Sequence, residues 1–564
     1  MARGKAPQDT AAALRRTAAD VFGWETLRPG QSKAMETVLA GHDTLAVMPT
    51  GAGKSAIYQV AALRLPGPTV VVSPLIALQR DQITGLLRHR APDAVAVNSA
   101  QAAEETADAW EAVREGEAEY LFLSPEQLAK EAVVERLAQA APSLFVVDEA
   151  QCVAAWGHDF RPDYLRLAQV VERVGRPVVL ALTATAAPPV REEIVERLGM
   201  RQPSLVIAGF DRPNIRLEVR HFLEDEDRRR AVVECAAGQA KPGIVYAATR
   251  KDAESYAAEL AGLGLKAAAY HAGLRRKERS RVHDAFLSGT MDVVVATSAF
   301  GMGIDKEDVR FVLHASMPGS LDAYYQEIGR SGRNGEPAVA VLHYRPQDTG
   351  MRNFFAARTP REDTLADVTA CLHRHGAPLS LEDLHERTGL SRNRVTAAVN
   401  LLEQAGAATT DGGGDVSAVP DLAAADAVER ATAAARARRK LERSRVEMAR
   451  AYTETTGCRR RFLLGYFGEA YEAPCDNCDV CLAADEGGGE TPEGLPQQAA
   501  EPPEHPVAGE FRTGMRVRHS EWGEGMVLGE EGDRITVLFD SVGYRTLSLA
   551  TLADRGLLTA LDES

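Results

Sequence analysis

No stretch of this chain reaches the roughly 20 consecutive apolar residues that a membrane-crossing helix needs. The weakly polar run 177–190 is interrupted by Thr183, Thr185, Pro188 and Pro189, so it reads as a buried strand and its loop. Residues 1–20 are rich in alanine and arginine without an apolar core, and a secretory leader is not expected. Cysteine is sparse: seven in 564 residues argue against a disulfide scaffold and fit a reducing cytosol. Positive charge is in deficit. A net charge of −15 speaks against a surface that coats nucleic acid indiscriminately. The acids are unevenly placed, however. Residues 483–510 carry seven Asp/Glu and no Lys or Arg, whereas residues 428–461 carry eleven Lys/Arg against four Glu. A basic face on an acidic molecule is therefore expected. With 45% hydrophobic and 26% charged residues, the composition is that of a soluble globular protein, and the length suits three or four domains.

The most informative run is Met48-Pro-Thr50-Gly51-Ala52-Gly53-Lys54-Ser55, preceded by the strand-like segment 44–48. About a hundred residues later the run 143–147 leads into Asp148-Glu149-Ala-Gln151. Between a strand and a helix, small residues let loop amides wrap a phosphate, and the helix points its positive end at the same anion. Lys54 then reaches the β/γ-phosphates and the Ser55 hydroxyl ligates Mg²⁺. Asp148 supplies a second Mg²⁺ ligand, and Glu149 orients or deprotonates the attacking water. The loop lacks the first glycine of the strict phosphate-loop spacing, but the two halves together point to ATP hydrolysis.

From about residue 14 to 343, short β-rich runs alternate with helical stretches, as in parallel α/β proteins. Strand candidates are 69–73, 120–124, 143–147 and 178–182, then 243–247, 266–270, 292–296, 311–314 and 338–343. The pattern restarts near 203–214, so lobes over 14–203 and 204–350 are expected, with the nucleotide between them. Residues 360–425 read as a winged-helix-like domain, with Ser380 and Ser391 as N-caps, Gly389 in a turn, an apolar stripe Val395, Val399, Leu402, and a wing tip at 412–414. Arg392 and Arg394 on its third helix tilt it towards DNA contact. Residues 427–482 form a helical module whose Cys458, Cys475, Cys478 and Cys481 have the C-x16-C-x2-C-x2-C spacing of a tetrahedral zinc site. Cys152, Cys235 and Cys371 read as packing. The segment 483–510 reads as a disordered acidic linker, and 511–561 as a small β-barrel.

Ala181-Leu-Thr-Ala-Thr-Ala186 and Gln326-Glu-Ile-Gly-Arg330-Ser-Gly-Arg333 follow in the order of a superfamily 2 helicase, in which Arg330 and Arg333 would stabilise the transferring phosphoryl group. Three further segments resemble the RecQ family of DNA helicases. The first is Phe22-Gly-Trp24-Glu-Thr-Leu-Arg28-Pro-Gly-Gln31; by this resemblance Gln31 reads the adenine edge while Trp24 and Arg28 sandwich its ring. The second, Trp156-Gly-His158-Asp-Phe160-Arg161, is similar to the family's aromatic-rich loop, which senses single-stranded DNA; stacked bases are each worth roughly 1–3 kcal/mol in such sites. The third is the cysteine cluster itself, which resembles the family zinc domain.

The resemblance implies two RecA-like parallel-sheet lobes and an ATP-, Mg²⁺- and Zn²⁺-dependent 3′–5′ helicase. Its substrates would be single-stranded and forked DNA, and it would serve repair, recombination or replication in the cytoplasm, at the nucleoid. Ala52 and Gln151 depart from the commoner Gly and His, and the winged-helix segment precedes the zinc module where the family places it after. Residues 514–540 resemble the Tudor-like domain ending UvrD-type helicases, which implies a protein partner such as RNA polymerase. Three other readings stay open: a DNA translocase or remodeller, an RNA-dependent ATPase, and a DNA-bound docking platform.

Overall fold

The computed structural model describes residues 7–98, 101–154, 164, 166–301, 304, 306–350, 360–411, 414–486, 511–512, 514–531, 534–539, 541–549, 551–552 and 557–561. The chain forms two compact units, one of residues 1–209 with 358–438 and the other of 210–357 with 439–564.

In the first unit, strands β1 (Thr44–Val47), β2 (Thr69–Val72), β3 (Asp93–Val97), β4 (Ala118–Leu123), β5 (Leu144–Val147), β6 (Val178–Thr183) and β7 (Ser204–Ile207) make one sheet. Its order is β3-β4-β2-β5-β6-β1-β7, and every pairing is parallel. Central strands such as Thr69-Val-Val-Val72 and Leu144-Phe-Val-Val147 are buried at every position. Helices cover both faces of such a sheet, so its strands read as unbroken apolar runs instead of alternating ones. Strand β7 pairs with β1, which carries the first lobe to Gly209 rather than ending it at 203.

The segment that the sequence reads as winged-helix-like belongs to this same unit. Helices Glu362–His375, Leu381–Thr388 and Arg392–Gln404 precede a hairpin of β14 (Ala408–Thr410) and β15 (Val416–Ala418). Ser380 accepts from the Asp383 amide, and Asp383 accepts in return from the Ser380 amide, so a reciprocal cap starts the second helix. Gly389, at φ 69°, ends it in the left-handed conformation that favours glycine. Leu365, Val368, Leu384, Val395, Val399 and Leu402 make the core, joined by Ala427, Ala431 and Ala435 from the start of the long helix Ala424–Glu454. An ion pair of 3.1 Å between Arg166 and Glu403 ties the third helix to the first lobe. Arg392 pairs with Glu382 and Arg394 with Thr364, so both are bonded to neighbouring helices of their own domain.

The second unit holds a six-stranded parallel sheet of β8 (Ile215–His221), β9 (Gly243–Tyr246), β10 (Ala267–Tyr270), β11 (Val293–Ala296), β12 (Phe311–His314) and β13 (Ala338–Tyr344), in the order β10-β11-β9-β12-β13-β8. The zinc module is built onto its β8 edge. Leu217 bridges to Cys478, the Val219 amide donates to Asp479 (3.0 Å), and Arg459 donates to the other oxygen of Asp479 (2.6 Å).

The C-terminal segment forms an antiparallel sheet, β19-β18-β17-β16-β20, from β16 (Arg516–His519), β17 (Gly523–Glu531), β18 (Arg534–Phe539), β19 (Gly543–Ser548) and β20 (Leu558–Ala560). Strands β19 and β20 are the edges of this sheet. It packs on the zinc module directly. The Tyr544 hydroxyl donates to that of Tyr466 (2.8 Å), which donates to buried Asp322 (2.5 Å). Arg445, in the basic stretch of the long helix, is fully buried and pairs with Glu442 at 2.8 Å.

Candidate nucleotide site and metal centre

Strands β5, β6 and β1 lie side by side, with Val147 opposite Ala181 and Val47 opposite Thr183. The loops leaving their carboxyl ends therefore emerge at one edge, where open parallel sheets bind ligands. These are the phosphate loop, Asp148–Gln151 and Thr183–Thr185. Gly51 and Gly53 stand at φ 81° and 73°, and a Cβ on Gly53 would come within 2.6 Å of Gln31 Nε2. Ala52 is absent from the positive-φ positions, so its methyl group costs no backbone strain. Lys54 precedes the helix Ser55–Ala62 and donates from Nζ to the Met48 carbonyl at 3.2 Å. Thr50 and Ser55 flank the glycines at the start of this helix.

Arg28 and Gln31 brace the same loop from the helix Pro29–Leu39. Gln31 Nε2 donates to the carbonyls of Ala52 (2.9 Å) and Gly53 (3.0 Å), and Arg28 Nη1 donates to that of Gly51 (2.9 Å). Trp24 stacks on Phe22 with ring centroids 4.6 Å apart. The family resemblance implies an adenine site for Trp24, Arg28 and Gln31. The structure adds a bracing role for two of them that the motif alone does not reveal.

Asp148 lies half-buried at the end of β5. Burial, reinforced by the neighbouring Glu149 carboxylate and opposed by Lys54, pushes its carboxyl up to about 7. Glu149 sits at φ 50°, an unusual backbone for a residue with a side chain. A hydrogen-bond chain holds it there: Gln151 Nε2 donates to Glu149 (2.7 Å), and the Thr183 hydroxyl donates to Gln151 Oε1 (2.6 Å). Gln151 and Thr183 are both buried, so the chain is shielded from water and geometrically fixed. It joins the carboxylate loop to the Leu-Thr-Ala-Thr segment.

In the second unit, Arg330 is buried beside Tyr246, whose hydroxyl donates to the Phe300 carbonyl at 2.9 Å. Burial pushes the Tyr246 hydroxyl up, against the pull of Arg330. Arg333 is half-buried three residues on. The loop carrying both is held by two residues the motif search misses. Arg212 donates to the carbonyls of Gly329, Ser331 and Gly332, and Asn214 to those of Gly332 (2.7 Å) and Glu336 (2.9 Å). The signal for them is the run Asp211-Arg-Pro-Asn214, where polar side chains precede a strand.

Cys458, Cys475, Cys478 and Cys481 place all four sulfur atoms within 4.8 Å of one another, and Cys475 and Cys481 are 3.9 Å apart. Tetrahedral zinc with Zn–S of about 2.3 Å needs sulfur–sulfur edges of about 3.8 Å. Hydrogen bonds from the Cys458 thiol and from the amides of Cys481 and Arg459 pull the Cys478 thiol down to about 4, favouring the thiolate a metal needs. The donor set fits zinc. Cys152, Cys235 and Cys371 are buried elsewhere, as packing residues.

Comparison with known proteins agrees with this anatomy. Residues 28–194 match the DEAD/DEAH box helicase family, 227–335 the helicase conserved C-terminal domain, and 414–482 the RecQ zinc-binding family. The chain is 33% identical over 472 residues to a probable ATP-dependent DNA helicase RecS of Bacillus subtilis, covering 83% of this chain and 91% of that one. The chain belongs to the RecQ family. It is 35% identical over 474 residues to the ATP-dependent DNA helicase RecQ of Pasteurella multocida, spanning 63% of that protein. Among solved structures, the fold is similar to the DUF1998 helicase MrfA bound to DNA, with a TM-score of 0.52 at 16% identity over 74% of this chain and 63% of that one. RecQ-family membership makes the chain an ATP-dependent DNA helicase with a zinc-binding module. Trp156, His158, Phe160 and Arg161 lie outside the described residues. Tyr164 is buried and donates to the Asp148 carbonyl at 3.5 Å.

Proposed function

We propose that this RecQ-family chain couples ATP hydrolysis to 3′–5′ movement along single-stranded DNA and to the opening of forked duplexes, in DNA repair, recombination or replication in the cytoplasm. The observation that carries the coupling is the Glu149–Gln151–Thr183 chain, because it ties the group assigned to the attacking water to a second loop of the same sheet edge. A change at either loop is transmitted to the other through buried hydrogen bonds.

In this reading the loop amides and Lys54 hold the β- and γ-phosphates, Trp24, Arg28 and Gln31 receive the base, and Glu149 orients the water. Arg330 and Arg333 stabilise the charge on the transferring phosphoryl group. Ser55 and Asp148 would hold Mg²⁺, which supplies charge neutralisation at the phosphates. The fit is electrostatic: a divalent cation relieves the burial and the Glu149 repulsion that push Asp148 up. Trp156, His158, Phe160 and Arg161 contact the single strand, as the resemblance to the family's aromatic-rich loop implies.

The test is ATP hydrolysis with and without single-stranded DNA, run beside forked-duplex unwinding and a Lys54→Ala control. Stimulation with unwinding, both lost in Lys54→Ala, is the expected result. Stimulation by matched RNA instead of DNA would replace the reading with an RNA-dependent ATPase. One observation favours a second reading, a translocase without strand separation. The winged-helix domain precedes the zinc module and is tied to the first lobe through Arg166–Glu403. Strong stimulation with no unwinding would select it.

A further inference from the structure

Three consecutive arginines open the zinc module, and they meet different surroundings. Arg459 donates to Asp479 and to the Tyr452 carbonyl (2.8 Å), and Arg460 to Asp211 (2.5 Å) and the Ile215 carbonyl (2.8 Å). Both are buried structural ties. Arg461 is exposed and has no side-chain partner among the described residues. It lines a cleft of about 830 Å³ between the zinc module and the C-terminal sheet. Arg512, at the entry to that sheet, lines the same cleft, is likewise exposed, and likewise has no side-chain partner among the described residues. Phe462, Tyr471 and Phe511 contribute rings to the walls. The acid of the lining, Glu469, accepts a hydrogen bond from the Phe210 amide. Two guanidinium groups against this one carboxylate leave the cleft lining net positive.

The cleft is built by direct contact, not by the reach of a linker. A Cβ on Gly465 would stand 2.7 Å from the Leu528 carbonyl, so the zinc-module helix and strand β17 approach as closely as glycine allows. The Tyr466–Tyr544 bond fixes the same junction.

We propose that this cleft binds a segment of single-stranded DNA, with Arg461 and Arg512 on phosphates and Phe462 and Tyr471 as stacking platforms for bases. Unpaired cations beside aromatic faces are what sequence-independent strand binding requires. An acidic peptide would use the arginines and leave the rings without a partner, so a nucleic-acid strand satisfies more of the surface. The inference rests on DNA as the substrate, as proposed above, and adds a contact distinct from the helicase lobes.

The test uses the full-length, zinc-loaded protein and a fluorescein-labelled oligo(dT), with affinity measured across a salt series. Each phosphate contact on a single strand contributes about 0.7 to the slope of log affinity against log salt, so Arg461→Ala/Arg512→Ala should flatten the slope by about 1.4. Arg461→Lys/Arg512→Lys keeps the charges and should restore it, with zinc content equal in all three proteins. An unchanged slope in the alanine variant overturns the proposal, as does failure of the lysine variant to restore a flattened one. Loss of binding to polyglutamate with an unchanged oligo(dT) slope would assign the cleft to acidic peptides and also overturn it. If the wild-type chain binds no oligo(dT), the functional reading falls with it. If the wild type binds and is stimulated while the slopes agree, this proposal falls alone.

Discussion

Gln151 stands where the family more commonly has histidine, and its neutral amide does two jobs that an imidazole would divide differently. One end donates to Glu149 and the other accepts from Thr183, so a single side chain sets the Glu149 carboxylate against its strained backbone. Gln151→Ala removes both bonds and leaves a buried hydroxyl and a carboxylate to find other partners. We expect DNA-stimulated turnover to fall by about a hundredfold, the usual cost of misplacing a catalytic group by an ångström, with nucleotide affinity little changed. Steady-state kinetics beside a nucleotide-binding titration checks this. Arg333→Ala should likewise leave nucleotide binding intact while turnover drops by roughly a thousandfold or more, and retained turnover would remove Arg333 from the site.

The raised Asp148 carboxyl makes a prediction of opposite kind, about stability. Its folded pKa lies above the unfolded value, so folding favours the proton, and stability is lost as pH rises from the ordinary carboxylate range to about 7. Without nucleotide or divalent metal, Asp148→Asn should raise stability above pH 8 by about 1–2 kcal/mol, allowing for the partial exposure of the carboxylate to water. The gain should vanish below pH 4. Thermal unfolding at the two pH values decides it, and an equal effect at both would show that burial does not perturb the group.

At the scale of elements, legibility follows burial. The central strands of both sheets are apolar on both faces and appear in the sequence as continuous runs at nearly their observed bounds. The strands the pattern misses, β3, β7 and β8, are all sheet edges. At β3 and β8 the exposed positions carry Asp93 and Arg216, which dilute the apolar signal, whereas β7 is a run of only four residues, Ser204-Leu-Val-Ile207, that exposes Leu205 and Ile207 at the sheet edge. The three helices of 362–404 are legible because caps and turn glycines are local chemistry, as Ser380, Asp383 and Gly389 show. Arg212 and Asn214 are not, because they act on carbonyls more than a hundred residues away, and no local pattern announces that. The β8 edge also explains what zinc does for the fold. Because Leu217 bridges to Cys478 and Val219 donates to Asp479, the metal-bound loop covers an otherwise open strand edge. Cys478→Ser should therefore lose stoichiometric zinc and also destabilise the second helicase sheet. Metal analysis with hydrogen exchange read at 215–221 tests both, and a fully metallated, equally protected variant would disprove the cluster.

At the scale of the whole molecule, the sequence suggests a motor followed by an acidic linker and a separately folded module free to recruit a partner. The terminal sheet is instead part of the second unit. Its Tyr544 face is occupied by Tyr466, which passes the contact to Asp322 on the helix Leu321–Ile328, immediately before the Arg330 loop. Any partner must use another face of the sheet. Two glycines with the same backbone demand separate docking from local folding. Gly514 and Gly543 both have positive φ, at 89° and 74°, so alanine strains either turn. At Gly514 the added Cβ meets nothing within 4 Å, whereas at Gly543 it would meet Ser444 Oγ at 2.3 Å and Ser444 Cβ at 2.8 Å. Gly543→Ala should therefore cost about 1–3 kcal/mol more than Gly514→Ala, the range typical of overpacking. The excess should appear in the unfolding of the second unit, because Ser444 lies on the long helix beside buried Arg445. A tethered module predicts equal losses confined to the terminal sheet. Chemical denaturation of the two variants, followed by the Tyr and Trp signals and by hydrogen exchange along 439–454, distinguishes a sheet that stabilises the motor from one that merely follows it.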